Sequence, residues 1–313
     1  MNKNIISILL IFLFSNVLIS QSKEEPIVLS TETGDIRGTL KVADSTNVTP
    51  IVLIIAGSGP TDRNGNNPMM VNNSLKMLAE GLSENGIASF RFDKRGIAES
   101  KNAVEKESDL RFETYINDVK DWCDLIKNDN RFSQLIILGH SEGSLIGIMA
   151  SQEKKVDKFI SIAGPGLSAG DVLLKQLKEQ SPLAFEMSRP IIEKLEKGET
   201  VNNTPEMLNA LFRPSVQPYL ISWFKYNPQL EISKLKMPIL IIQGTTDIQV
   251  SVEDAEMLSQ SNINAKKVII ENMNHILKEA DADRTKNIQT YSNSKLPLKE
   301  EIIPVIVNFI KEN

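Results

Sequence analysis

The sequence predicts an α/β fold in which a mostly parallel central sheet carries helices on both faces and one helical insertion interrupts the alternation. Three observations point there. Largely apolar runs, of the kind a strand shows when both of its faces are covered, recur at residues 51–56, 134–138, 158–163 and 239–242. Helix-like segments separate the first three, as the crossovers between parallel strands require. Residues 167–232 then hold helix-like pieces divided by Pro182, Pro190, Pro205, Pro214 and Pro218.

Residues 1–20 open with Met-Asn-Lys-Asn, followed by Ile5–Ile19, apolar apart from Ser7, Ser15 and Asn16. That run is short for a membrane span, which needs about 20 residues, and no stop-transfer pattern follows. The expectation is a secretory signal peptide and an exported protein, periplasmic or extracellular, that meets the membrane only transiently. An uncleaved segment that anchors the chain is the alternative; with no cysteine near the junction, lipid attachment is not expected. Residues 27–313 are expected to form a single large domain, and the roughly 290 residues of mature chain are ample for a buried core without staples.

β-forming residues at 27–30 and 36–42 flank Thr33-Gly34-Asp35 and predict a hairpin. The strand Ile51–Ala56 follows Pro50 and gives way to a loop of turn formers, Gly57–Gly65, and an amphipathic helix, Ser74–Ser83. The cycle repeats as the strand Ile87–Phe92, the loop Asp93-Lys94-Arg95-Gly96 and a helix over about Phe112–Lys127, then as the strand Gln134–Leu138 and the helix Ser144–Ser151. After the strand Lys158–Ala163 comes the insertion, with helix-like pieces around Val172–Gln180, Ser188–Lys197 and Glu206–Leu211. Strand patterns return at Pro238–Ile242 and Ala265–Glu271, and Ile302–Lys311 reads as a final helix. An insertion at this point is expected to form a lid over the carboxyl ends of the strands, with a purely stabilising subdomain as the alternative. Its apolar side chains between Leu173 and Phe224 would line an acyl pocket or bind the insertion to the core.

The chain is 41% hydrophobic and 24% charged, with 35 basic and 40 acidic residues, a net charge of −5 and no long basic run. Nucleic acid is not an expected partner. The single cysteine, Cys123, excludes an intramolecular disulfide, a thiolate-rich zinc cage and a redox pair within one chain, and its helix-like surroundings predict an inert, partly buried thiol. Two histidines cannot form a three-histidine metal site, yet one suffices for acid/base chemistry near neutral pH.

Gly139-His140-Ser141-Glu142-Gly143 lies between a strong strand pattern and an apolar helix. That is the context of a nucleophile elbow. A sharp turn projects the Ser141 hydroxyl, Gly139 and Gly143 let strand and helix backbones pass closely, and the Glu142 N–H points toward a developing oxyanion. His140 diverges from Ser141 across the turn and is a poor base; it is expected to pack or hydrogen-bond beneath the turn. Asp247, in Gln243-Gly244-Thr245-Thr246-Asp247, follows a strand and is placed to orient an imidazole. Glu253 and Asp254 read instead as the start of the next helix. His275, in Glu271-Asn272-Met273-Asn274-His275, follows the last strand and is the candidate base. Taken singly, each residue has a bland explanation as a turn, loop cap or surface side chain. Their order Ser141, Asp247, His275, each at a strand end, favours nucleophilic catalysis. The run Gly57-Ser58-Gly59 lacks the full glycine fingerprint and the Lys-Ser/Thr ending of a phosphate cradle, so no cofactor is expected, and no metal is required.

With these motifs the chain resembles the α/β-hydrolase superfamily, and more narrowly a bacterial carboxylesterase group labelled serine-aminopeptidase-like. The resemblance rests on Ala56–Gly65, the Gly-His-Ser-Glu-Gly elbow and Asn272-Met273-Asn274-His275. It implies that Gly57 and Ser58 occupy the oxyanion loop, with the Ser58 N–H paired with that of Glu142. Where superfamily members often carry a histidine before this glycine, the chain has Ala56. Phe92–Ser100 resembles the superfamily's Asp-x-Arg-Gly loop, which implies a charge-assisted Asp93–Arg95 network supporting the oxyanion loop, with Arg63 and Asp62 contacting that network or a substrate. The expected function is hydrolysis of a small-molecule acyl ester by a serine hydrolase. An aminopeptidase or amidase with the same triad and a catalytically lapsed envelope binding protein are the alternatives.

Overall fold

The computed structural model describes residues 23–42 and 48–312. The expected signal peptide, residues 1–20, lies outside them. Eight strands form one sheet: β1 (Lys23–Thr31), β2 (Gly34–Val42), β3 (Thr49–Ile55), β4 (Ala88–Phe92), β5 (Phe132–His140), β6 (Lys158–Ile162), β7 (Ile239–Gly244) and β8 (Ala265–Ile270). Their order is β1-β2-β4-β3-β5-β6-β7-β8. The β1–β2 and β2–β4 pairings are antiparallel, and every pairing from β4 to β8 is parallel. The chain therefore steps outward from β3 to β4, then crosses back to place β5 on the other side of β3. The crevice at the carboxyl ends of β3 and β5 is the point where the winding reverses, and ligands of open α/β sheets bind at such points.

The continuous apolar run of β3 follows from its burial on both faces. Ile51, Leu53 and Ile55 face a core shared with Trp122 and Cys123 of α2 (Phe112–Lys127) and Leu145 and Ile148 of α3 (Glu142–Glu153). Val52 and Ile54 face the opposite core. There they meet Leu78 and Leu82, of the helix Ser74–Glu84 (α1), and Ile306 and Phe309, of the helix Ile302–Lys311. Burial pushes the Cys123 thiol up to about 12, so it stays protonated, as an inert thiol should.

Between β6 and β7 lie five helices: α4 (Ala169–Gln180), α5 (Pro182–Glu196), α6 (Asn209–Phe212), α7 (Gln217–Trp223) and α8 (Pro228–Ile232). Two prolines that read as breaks are accommodated within α5. Pro182 stands in its first turn, where the missing N–H costs nothing, behind Ser181, whose hydroxyl accepts the Ala184 N–H at 3.2 Å. Pro190 sits inside the helix, which continues through it because Ile191, Ile192 and Leu195 are buried against the core. The helices α7 and α8 carry too few residues to show a period. After β7 come α9 (Val252–Gln260), α10 (Arg284–Thr290) and α11 (Ile302–Lys311), of which α10 was also without a sequence signal.

The elbow packs by backbone contact. A Cβ on Gly143 would lie 2.4 Å from the Ile55 carbonyl oxygen and 2.8 Å from that of Ala56. Replacing Gly143 with alanine must push α3 away from β3, so we expect a loss of about 3 kcal/mol and a lower thermal melting temperature.

Candidate active site

Five loops at the carboxyl ends of the parallel strands supply the sequence-predicted residues. Ser58 follows β3, Asp93 and Arg95 follow β4, Ser141 follows β5, Asp247 follows β7 and His275 follows β8. Ser141 is held at φ 55° and ψ −123°, a conformation that side chains rarely adopt. Its N–H donates to Ile162 O at 2.9 Å and its carbonyl accepts the Ser144 N–H at 2.9 Å. The hydroxyl is partly exposed and makes no hydrogen bond to His275 or to any other group among the described residues. Gly139 and Gly143 touch across the turn, and a Cβ on Gly57 would lie 3.1 Å from Ser141 Cβ. The loop after β3 and the elbow are thus in contact, as the winding reversal dictates.

Asp247 is buried and fully satisfied. Its Oδ1 accepts the N–H groups of Gln249 at 2.8 Å and Val250 at 3.0 Å, and its Oδ2 accepts Gln243 Nε2 at 3.0 Å and His275 Nδ1 at 2.8 Å. Burial pushes its carboxyl up, but His275 and the two backbone donors outweigh that and hold it below its ordinary value. An ionised carboxylate only accepts, so Nδ1 carries the proton and the neutral ring leaves its lone pair on Nε2.

His140 turns under the elbow and donates Nε2–H to the His275 carbonyl at 2.8 Å; the two rings lie 4.8 Å apart. This contact seats the His275 loop against the residue next to Ser141. Burial, with His275 alongside, pushes His140 down to about 4, so it stays neutral and its role is a structural clasp.

Glu142 opens α3, at the positive end of its dipole, and neither its N–H nor that of Ser58 donates within the chain among the described residues. A cavity of about 800 Å³ opens over them, lined by Ser58, Ser141, Glu142 and Leu145 from the sheet side and by Leu173, Leu211, Tyr219 and Trp223 from the insertion. Of the other apolar insertion residues, Leu208 and Phe212 are buried in the core, while Leu183 is exposed.

Of the network expected of Asp93 and Arg95, the contact with Arg63 is present, but the two residues do not share one network: two apart in sequence, they point to different partners. Asp93 accepts the Arg63 N–H at 2.8 Å and pairs with its guanidinium at 2.9 Å. Arg95 pairs with Asp118 of α2 at 2.5 Å and donates to Thr31, Thr33 and Ala103. Burial pushes the Asp93 and Asp118 carboxyls up against these arginines. Between them, Lys94 reaches the site, donating to Gly57 O at 2.6 Å and to Glu142 Oε2 at 2.7 Å. Sequence reasoning assigned Lys94 no role, because a lysine in a charged loop reads as solvated. It also missed Asn287 of α10, which donates to Thr246 O at 2.7 Å and meets Asn274 at 3.1 Å, tying the Asp247 loop to the His275 loop.

A family model described as serine aminopeptidase, S33, matches residues 72–207, which include the elbow and end before Asp247 and His275. The chain is similar to esterase EstD of Thermotoga maritima, 27% identical over 259 residues; the match covers 79% of this chain and spans 59% of the relative's length. Among solved structures, Est1E of Butyrivibrio proteoclasticus superposes with a TM-score of 0.59 at 16% identity, covering 92% of this chain and 99% of that one. The Pyrococcus furiosus esterase Pf2001 gives 0.60 at 17% identity, covering 93% and 91%. Sheet order, strained elbow and these similarities agree that the chain has the α/β-hydrolase fold.

Proposed function

We propose that the protein is a carboxylesterase that works through an acyl-enzyme on Ser141, with His275 as base and acid and Asp247 orienting it. The observation that carries this reading is the buried Asp247–His275 hydrogen bond, which holds a free Nε2 lone pair in the loop clasped to the elbow. As a substrate carbonyl closes on Ser141, the Oγ–H proton passes to Nε2 and Oγ bonds to the carbonyl carbon. The displaced π electrons gather on the carbonyl oxygen, where the N–H groups of Ser58 and Glu142 stabilise them. Collapse breaks the bond to the leaving alkoxide, which takes the proton from Nε2. Water then attacks the acyl-enzyme while His275 takes its proton and returns it to Ser141. The open Ser141–His275 contact fits a free enzyme, in which catalytic hydrogen bonds tighten only when substrate binds.

The cavity favours esters over peptides. An aminopeptidase needs an acid free to bind the substrate α-amine, but Glu142 is neutralised by Lys94 and accepts the Tyr219 hydroxyl at 2.6 Å. Glu107 is held by Arg213 and Ser215, so of the three lining acids only the exposed Glu105 has no partner among the described residues, and there water screens its charge. The apolar lining suits a small or medium acyl group, with α4–α8 acting as a lid over it. Export as a periplasmic or extracellular enzyme rests on the sequence of residues 1–20 and is checked by the N-terminus of protein recovered from the cell envelope or medium.

Purified protein is expected to hydrolyse short-acyl p-nitrophenyl esters and to leave aminoacyl arylamides intact; turnover of the arylamides at comparable kcat/KM would select the aminopeptidase instead. Ser141→Ala should lower kcat by about 10⁴-fold or more. Asp247→Asn should cost roughly 10³–10⁴-fold, by presenting the wrong tautomer of His275. Stability should also fall in acid. His140 is held at about 4 against an ordinary 6.5, so below 6.5 the unfolded chain takes up a proton that the folded chain refuses until about 4. Denaturation midpoints compared at pH 7 and pH 4.5 should show a smaller drop in His140→Asn than in the parent.

A further inference from the structure

Catalysis as proposed leaves the buried Lys94, beside the site, without a task. Lys94 is 2% exposed, inside a wall of the cavity, with its ammonium 5.1 Å above the Tyr115 ring. Its two hydrogen bonds go to the two sides of the candidate oxyanion hole. Gly57 O, which accepts one of them at 2.6 Å, belongs to the same peptide unit as the Ser58 N–H. A trans peptide directs its C=O and N–H oppositely, so drawing Gly57 O toward Lys94 turns the Ser58 N–H away from it. The second goes to Glu142 Oε2 at 2.7 Å, the side chain of the residue that carries the other donor N–H. The remaining Glu142 oxygen accepts the Tyr219 hydroxyl at 2.6 Å, from α7 of the insertion.

We propose that Lys94 and Tyr219 are positioning residues of the oxyanion hole: the Lys94 ammonium links the Gly57–Ser58 donor peptide to the side chain of Glu142, the other donor residue, and Tyr219 ties that link to the insertion. Stability is a poor reason for such a pair. Desolvating two charges offsets most of their attraction, and apolar replacements of buried ion pairs are often neutral or stabilising. Alignment of two N–H groups, by contrast, matters only when charge develops on the carbonyl oxygen, so its loss falls on kcat and leaves substrate binding alone.

The inference rests on the esterase reading, and the test separates the two. Lys94→Met alone would strand the Glu142 carboxylate, so the decisive variant is Lys94→Met with Glu142→Gln, which removes both charges together. It should keep a melting temperature near that of the parent while kcat falls about 10²-fold and KM stays within about threefold of the parent. Tyr219→Phe keeps the ring in place and should lower kcat about tenfold. Inhibition by phenylboronic acid, whose serine adduct is tetrahedral, should weaken in step with kcat. A double variant with parental kcat, or a loss confined to KM, overturns the inference. Should the double variant fail to fold, Tyr219→Phe decides, and an unchanged kcat in it overturns the inference equally. Ser141→Ala is the control: if it retains turnover, the esterase reading fails and takes this inference with it. If it is inactive while the double variant is fully active, only the inference fails.

Discussion

Backbone meets backbone where β3, β5 and α3 converge, and the geometry of the site depends on that contact. The space between Gly139 and Gly143, and between Gly143 and the Ile55 carbonyl, admits no side chain. The turn between β5 and α3 is therefore tight enough to force Ser141 to φ 55°. That conformation costs on the order of 1–3 kcal/mol, and the two burial layers around β3 and β5 hold it. The same contact brings Gly57 against Ser141, so a second loop reaches the reacting position without any side chain directed there.

Charges around this contact are sorted by burial. The loop after β4 carries three charged residues in a row, Asp93, Lys94 and Arg95, and each finds its own partner: Arg63, Glu142 and Asp118. None is free to compete for the Ser141 hydroxyl. The two histidines are sorted in the same way. His275 receives a carboxylate on Nδ1, while His140 is sealed in as a neutral donor and spends its one N–H on the His275 carbonyl. A single buried imidazole thus clasps the His275 loop to the elbow from below, and Asn287 of α10 ties the Asp247 and His275 loops from the side.

The insertion contributes on two levels. Much of its apolar surface is spent on packing, as at Leu177, Leu208 and Phe212, while Leu173, Leu211 and Trp223 face the cavity. Tyr219 belongs to both groups: its ring packs at a tilt against Phe112 and Trp223 and edge-on to Tyr115, and its hydroxyl ends on Glu142. The wall that shapes the cavity is in this way bonded to the residue beside Ser141.

Much of this was legible in one dimension. The central strands announced themselves because double-sided burial leaves few polar positions within a run, and Ser141, Asp247 and His275 stood out because each follows such a run. Residues Phe112–Lys127 and Ile302–Lys311 were helices to the residue, since a long amphipathic period leaves little ambiguity. The short helices α7, α8 and α10 were not legible, because five to seven residues carry no period and are held by tertiary contacts. Pro190 misled for a related reason: local chemistry argued for a break, and burial of the following turn overrode it. Partner choice was likewise invisible along the chain. Asp93 and Arg95, two apart, suggested a pair, yet both lie past the end of β4 in a loop with no strand alternation, where each found a different partner and Lys94 went to the site. Local order dictated which residues stand at strand ends, since hydrophobic period and glycine placement are properties of neighbours in sequence. Which of those residues touch, and which charge neutralises which, was decided by the sheet order and the packing, since hydrogen bonds and ion pairs act over a few ångströms between segments as much as 201 residues apart.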